Sequence, residues 1–376
     1  MQGTFQLGRV FGIPIRIHFS WVFIFLLVAW SLASSYLPGN YPGWSRAAYW
    51  GVGVVASALL FVSVLIHEGA HSLMALSKGK KVSAITLFFL GGASEIPDEA
   101  DNASEEFWIA VVGPLTSFAL AGIFWALDTS TQSGNQHINA VFKYLWFINI
   151  ALGVFNLMPA FPLDGGRVLR ALVWKSTGSL TRANSVASTV GVLIGYGLIG
   201  VGIYFVFSGG FIQGLWMVFI GWFIQSSASS YARQQTLSRT LTGRLVRDAM
   251  VTDVPVITPD MSVQRLIDER LTAEFQRAYV VMYGETFQGL VSISAIKSLP
   301  PESRAATPVT AVMKRANEVV TATPDEPLES ALQKMVTNDI HQLVVLSDGK
   351  AVGLLTRGDV LRVVEITEVV APRGRG

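Results

Sequence analysis

From Gly51 to Ala75 the chain reads GVGVVASALLFVSVLIHEGAHSLMA. The first sixteen of these residues carry no charge, and then His67, Glu68 and His71 arrive within five positions. About 20 apolar residues are needed to cross the hydrocarbon core of a bilayer, so the run reads as a membrane-spanning helix. Ionisable groups inside such a span are costly to bury and mark function. Residues four apart share one face of a helix, so the two imidazoles can reach a single metal ion. Glu68 sits one step round the helix, where its carboxylate can meet a water on that metal, as in peptidases that pair two His ligands with a Glu base. The alternative, two His that cap or pair near a helix end, fits poorly in a chain with only five histidines.

Outward from this run the chain divides in two. Of its 376 residues 51% are hydrophobic and 14% charged, where a soluble protein has about a quarter charged. The deficit lies in 1–232, the expected membrane domain, whereas the rest reads as soluble, with a polar linker over 233–244. Six stretches are long and apolar enough to span: 18–37, 47–73, 107–127, 139–158, 189–207 and 212–231. The fifth holds Gly191, Gly195, Gly197, Gly200 and Gly202, which lets helices approach closely in lipid. Tyr36, Trp44, Tyr49 and Tyr231 stand near span ends, as interfacial anchors do. Lys and Arg cluster before span one and after spans two, four and six, while the alternate loops hold little positive charge. By the positive-inside rule both termini are expected in the cytoplasm. The first apolar run starts well inside the chain, and Ala33-Ser34-Ser35 is a poor cleavage signal, so the first span is expected to be retained. A net charge of +2 gives no case for nucleic acid, and the absence of cysteine excludes disulfides and thiolate ligands.

A catalytic zinc takes three protein ligands and keeps a fourth position for water. Among the candidates, His18 opens span one, His137 lies in a far-side loop and His341 is in the soluble tail. Asp164 is better placed. It lies in Asn156-Leu157-Met158-Pro159-Ala160-Phe161-Pro162-Leu163-Asp164-Gly165-Gly166, after span four and on the membrane side where span two also ends. Pro159 and Pro162 break the helix and let Asp164 turn back toward the His pair; the other reading is a turn residue or helix N-cap. Asn156 either hydrogen-bonds a substrate backbone or ties two helices together. Between spans two and three, Val82 to Ile96 is apolar but too short to span. Ile85, Leu87 and Phe89 share one parity and Gly91-Gly92 breaks the run, which suits a β-hairpin dipping into the membrane or an amphipathic connector.

The soluble part is internally repeated. Val246-Arg247-Asp248-Ala249-Met250 is echoed by Val309-Thr310-Ala311-Val312-Met313, Val256-Ile257-Thr258 by Val319-Val320-Thr321, and Gly289-Leu290-Val291-Ser292 by Gly353-Leu354-Leu355-Thr356. A nearly constant offset of this kind indicates duplication, and each copy alternates strand-like and helix-like stretches in an α/β pattern. The last residues, 371–376, are expected to be a disordered tail.

Taken in order, these motifs closely resemble the site-2 protease family of intramembrane metalloproteases, in the branch with a six-span core and a C-terminal pair of CBS domains. The likeness rests on His67 to His71 and Asn156 to Gly166, with Gly91-Gly92 and Gly113-Pro114 as weaker support, and it covers nearly the whole chain. It implies a polytopic α-helical membrane domain with the membrane-dipping hairpin, followed by an α/β tandem CBS pair over 245–302 and 303–370. It implies that His67, His71 and Asp164 bind one Zn2+, that Glu68 activates water, and that Asn156 and the hairpin at Gly91 and Gly92 position the substrate. Family substrates are membrane-anchored proteins, often regulatory factors, so the enzyme is expected in the plasma (inner) membrane. The CBS pair implies an adenine nucleotide such as ATP, with the Thr356 hydroxyl on phosphate and Asp359 on the ribose, and homodimers formed through these domains. The first repeat departs from the pattern, with Ala295 where that Asp belongs. A CBS-gated transporter using the His pair as a transport site is the competing class, but it would want polar residues at midplane rather than clustered at one side.

Overall fold

The computed structural model describes residues 3–89, 91–131, 134–274, 276 and 278–370; the expected tail over 371–376 lies outside them. The chain separates into two compact units, Met1–Arg233 and Gln234–Gly376.

Among the described residues the first unit holds six helices of membrane-spanning length: α1 (Ser20–Asn40), α2 (Arg46–Ser77), α3 (Ala103–Ser130), α4 (Gln136–Asn156), α6 (Leu180–Phe207) and α7 (Phe211–Arg233). Between α4 and α6 lies the shorter α5 (Asp164–Thr177). Many large apolar side chains on the long helices are exposed, such as Phe23, Trp125, Leu193 and Phe207, as expected of surfaces that lipid covers. Side chains cap the starts of two helices that flank the site. Ser45 accepts from Ala48 N at α2, and Asn102 accepts from Glu105 N at α3; each satisfies one of the amides a helix leaves unpaired. The fifth span begins at Leu180 rather than 189 because polar residues, among them buried Asn184 and Ser188, continue the helix against its neighbours. Its glycines do bring it close to α7: a Cβ built on Gly195 would lie 2.8 Å from Gly221 O, and one on Gly202 2.8 Å from Gly214 O.

Two strands precede the first span, β1 (Thr4–Val10) and β2 (Ile13–His18), where the sequence reading expected only a basic flank. They join the hairpin of β3 (Ala84–Phe88) and β4 (Gly91–Glu95) in a four-stranded sheet ordered β1-β2-β3-β4. β2 and β3 are parallel, pairing Ile15 with Ile85 and Ile17 with Leu87. Ile13, Ile15 and Ile85 are buried together with Leu65 and Val82 packed on them. Leu65 is two residues before His67, so this apolar face seats the sheet at the His end of α2.

The second unit repeats one motif. β5 (Val256–Ile257), β6 (Ala278–Tyr283), β7 (Thr286–Ser292) and β8 (Lys314–Arg315) form one sheet in that order, and β9 (Thr321–Ala322), β10 (Gln342–Ser347) and β11 (Lys350–Thr356) another, ordered β11-β10-β9. In both, the first pair is parallel and the hairpin antiparallel. The register slips at Val281/Met282 and again at Val345/Leu346, so even the bulge is duplicated. Helices α8 (Ile293–Lys297), α9 (Leu328–Thr337) and α10 (Arg357–Val370) follow the strands. Each repeat has its own core, and Val280, Phe287, Val344 and Leu354 form a third between them.

Candidate metal centre

His67 and His71 lie on the buried side of α2, and Asp164 opens α5 beyond the proline-interrupted turn that ends α4. The structure brings these three together. Nε2 of His67 and Nε2 of His71 are 3.2 Å apart, and Oδ2 of Asp164 lies 3.1 Å from the first and 3.2 Å from the second. Donor atoms held about 2.0–2.1 Å from a tetrahedral zinc are about 3.3–3.4 Å from one another. Among the described residues no other group of three His, Cys, Asp or Glu side chains converges in this way.

The remaining ring nitrogens show that these donors fit a cation. His71 Nδ1 donates to the carbonyl of Ile109 at 2.6 Å, so the neutral ring presents a lone pair at Nε2. His67 Nδ1 is 2.8 Å from Ser117 Oγ, which leaves its Nε2 for the same space. Two lone pairs and a carboxylate oxygen at these separations repel unless positive charge lies between them. A cation between them removes that repulsion, and ligands of this kind bind a metal in their deprotonated form.

Helix α3 frames the centre with residues that the sequence reading passed over or met only as weak support. A Cβ on Gly113 would lie 2.2 Å from His71 Nε2 and 2.7 Å from His67 Nε2, so only glycine leaves room for both rings. One turn beyond is Ser117, and one turn before is the Ile109 carbonyl. Glu106, at the same helix face, is almost fully buried and binds Arg167 Nε at 2.9 Å and Arg170 at 2.5 Å. Both arginines are on α5, so the carboxylate of α3 fixes the helix that begins with Asp164. Arg170 also donates to Tyr231 Oη at 2.7 Å. Gly165 and Gly166 permit the tight turn, since a Cβ on either would strike the Leu157 or Phe161 backbone.

Glu68 is half-buried beside the pair, and its Oε2 accepts from Ser94 Oγ of β4 at 2.8 Å. Gly92 packs directly on it: a Cβ there would be 2.5 Å from Glu68 Cγ. Gly91 has φ +132°, a conformation that favours glycine. Asn156 is the last residue of α4, half-buried, and its side chain has no hydrogen-bond partner among the described residues.

In the second unit, Thr356 and Asp359 are turned to each other. Asp359 Oδ2 accepts from Thr356 N at 3.0 Å and from its Oγ1 at 2.6 Å, and Thr356 Oγ1 accepts from Asp359 N at 3.2 Å. This is a reciprocal cap on α10. The first repeat keeps half of it, Ser292 Oγ accepting from Ala295 N. A cavity of about 850 Å³ opens beside Ser292, Ser294 and Ala295, with Lys314, Asp339 and His341 also lining it.

A family model for peptidase family M50 matches residues 55–133 and 127–198. Rip3 of Mycobacterium tuberculosis is 33% identical over 377 residues, covering 99% of this chain and 95% of that protein. The chain belongs to peptidase family M50. Zinc metalloprotease MJ0392 of Methanocaldococcus jannaschii is 27% identical, with 98% of each chain covered. The solved site-2 protease of M. jannaschii is 27% identical over 61% of this chain and 94% of its own, with a TM-score of 0.40. CBS domains match at 246–301 and 309–366. The M50 chain is thus a multi-pass zinc metalloprotease of the site-2 type with a C-terminal CBS pair, and its zinc has a fitting donor set in His67, His71 and Asp164.

Proposed function

We propose that this protein cuts peptide bonds within or beside a transmembrane segment of membrane-anchored regulatory proteins, with His67, His71 and Asp164 holding the zinc and Glu68 as general base. The observation that carries the reading is the 3.1–3.2 Å triangle of donor atoms with a carboxylate that belongs to none of them standing alongside. Bound there, zinc would supply Lewis acidity to the scissile carbonyl and acidify a water, whose pKa falls from about 15.7 to about 7 in such sites. Glu68 takes a proton from the attacking water and delivers it to the leaving amine nitrogen. A scissile bond in a helix is shielded by its own hydrogen bonds, so the substrate must unwind locally. β4 is an edge strand, and adding the unwound segment to it at Gly91 and Gly92 would satisfy the freed backbone groups. Asn156, with its amide unspent, supports a role in holding that backbone.

The basic loops support cytoplasmic termini in the plasma (inner) membrane, with the membrane domain over 1–232 and CBS domains over 245–302 and 303–370 on that side. The CBS pair would dimerise the enzyme and bind an adenine nucleotide such as ATP through Thr356 and Asp359. To do so Asp359 must give up part of its cap on Thr356. Millimolar ATP is expected to raise the melting temperature of the purified protein, and Asp359→Ala to abolish that shift.

The deciding test uses a single-span reporter fusion that the wild-type protein cleaves. Glu68→Gln should keep zinc and stop cleavage, whereas His67→Ala should lose both. Unchanged cleavage by Glu68→Gln would remove the assignment.

A further inference from the structure

Strand β4 presents two sides. Its outer edge is unpaired among the described residues, since the sheet order ends there. Its inner face lies on Glu68, where Gly92 packs against the Cγ and Ser94 reaches the carboxylate. The hydrogen-bond arithmetic at Ser94 is tight. Ser72, one turn along α2 and fully buried, donates to Ser94 Oγ at 3.1 Å. That occupies a lone pair of Ser94, so its own single hydrogen is left for Glu68, whose Oε2 is 2.8 Å away and whose backbone oxygen is 3.0 Å away. A carboxylate on a flexible side chain has several rotamers, and one donor at fixed distance selects among them.

From this arrangement we infer that Ser94 is a positioning residue for the catalytic base, tying the Glu68 carboxylate to the strand that takes the substrate. The inference rests on the reading of Glu68 as base and deepens it. The Ser94 hydroxyl holds Oε2 and leaves Oε1 free for the water. Substrate added to the outer edge of β4 stiffens the strand and therefore the hydroxyl on its inner face. Docking and base orientation become one event, and an enzyme without a docked strand has a less ordered base.

Valine and threonine are nearly the same shape and both suit a strand, so they isolate the hydroxyl. Ser94→Val and Ser94→Thr are compared with wild type on the single-span reporter, together with zinc content and melting temperature. Ser94→Val should lower kcat about 10- to 100-fold, the span expected for losing one hydrogen bond to a charged group. Its KM and its zinc content should stay near wild type. Ser94→Thr should recover kcat to within about threefold, because it returns the donor. Equal kcat for the two variants would overturn the proposal, as would a Ser94→Val defect confined to KM, which would make Ser94 a support for docking alone. If Ser94→Val does not fold, Ser72→Ala is read in its place, with a smaller fall in kcat at unchanged KM expected and none overturning the proposal. Glu68→Gln in the same series separates the two failures. If it still cleaves, the base assignment falls and takes this inference with it; if it is dead while Ser94→Val matches Ser94→Thr, only the inference falls.

Discussion

Helices α2 and α3 both face the metal centre, yet they contribute in opposite ways. α2 gives functional side chains: two imidazoles one turn apart and a carboxylate between them. α3 gives no ligand. It offers a backbone carbonyl at Ile109, a hydroxyl at Ser117, an empty position at Gly113 and a buried carboxylate at Glu106 that acts on another helix. These four positions are spaced three, four and four residues apart, so they form one helical face. The chemistry is thus written on one helix, and the placement of that chemistry on its neighbour. A site arranged in this way should be as sensitive to changes on α3 as on α2, and the two helices can be set against each other by substitution.

The largest expected effect is at Gly113. Valine there would put its Cβ inside the His71 ring and close to His67, where α3 and α2 are both fixed by their packing. Gly113→Val should therefore bring the zinc content of purified protein to near background, as a His67 substitution does, without touching a ligand. If Gly113→Val retained stoichiometric zinc, α3 would not set the room at the centre. Next comes Glu106. Glu106→Gln keeps the shape but leaves Arg167 and Arg170 facing an uncharged partner in a buried place. Breaking such a pair costs about 3–5 kcal/mol, to be read as a lower melting temperature together with weaker zinc retention against a chelator, because α5 carries Asp164. Ser117→Ala should be milder. It frees one ring nitrogen of His67, and partners of this kind are worth about 10- to 100-fold in metal affinity. A zinc-competition titration that gave the wild-type value would assign the His67 orientation to packing instead.

How much of this was legible follows from the same contrast. His67, Glu68 and His71 stand out because ionisable groups break an apolar run. Asp164 stands out because prolines and glycines surround a lone carboxylate. The duplicated strands of the second unit are visible because similar residues recur at a nearly constant offset. The face of α3 had no such signal. A backbone carbonyl has no residue identity, so Ile109 reads as one more lipid-facing side chain, and Ser117 is a small polar residue among small residues. Glu106 was readable in principle, since paired acids at the mouth of a span demand partners, and Arg167 and Arg170 lie one turn apart on α5. With the apolar run of the third span starting at 107, Glu106 falls just outside it. β1 and β2 were hidden differently: Ile13, Ile15 and Ile17 alternate with period two, but they abut an apolar span that dominates any window containing them. In the second unit the motif Thr356 to Asp359 is legible as residues, whereas its closure into a helix cap depends on backbone geometry.

The smallest effect offers the sharpest contrast. Ser45 and Asn102 are equivalent devices, each capping its helix through one side-chain bond to a backbone amide, at 3.2 Å and 3.0 Å. Replacing either with alanine should cost about 1 kcal/mol. Their distances from the chemistry differ. Ser45 is 22 residues from His67, about 33 Å of helix, and the turns between are held by α1 and α4, so fraying there should not travel. Asn102 is one turn from Glu106 and two from Ile109, so fraying there loosens the anchor of α5 and the carbonyl that orients His71. With equal losses in melting temperature, Asn102→Ala should weaken zinc binding by about the fewfold factor that 1 kcal/mol allows, and Ser45→Ala should leave it unchanged. Equal zinc affinity in the two variants would mean that the first turn of α3 is a passive start rather than part of the frame, and that the frame begins only at Ile109.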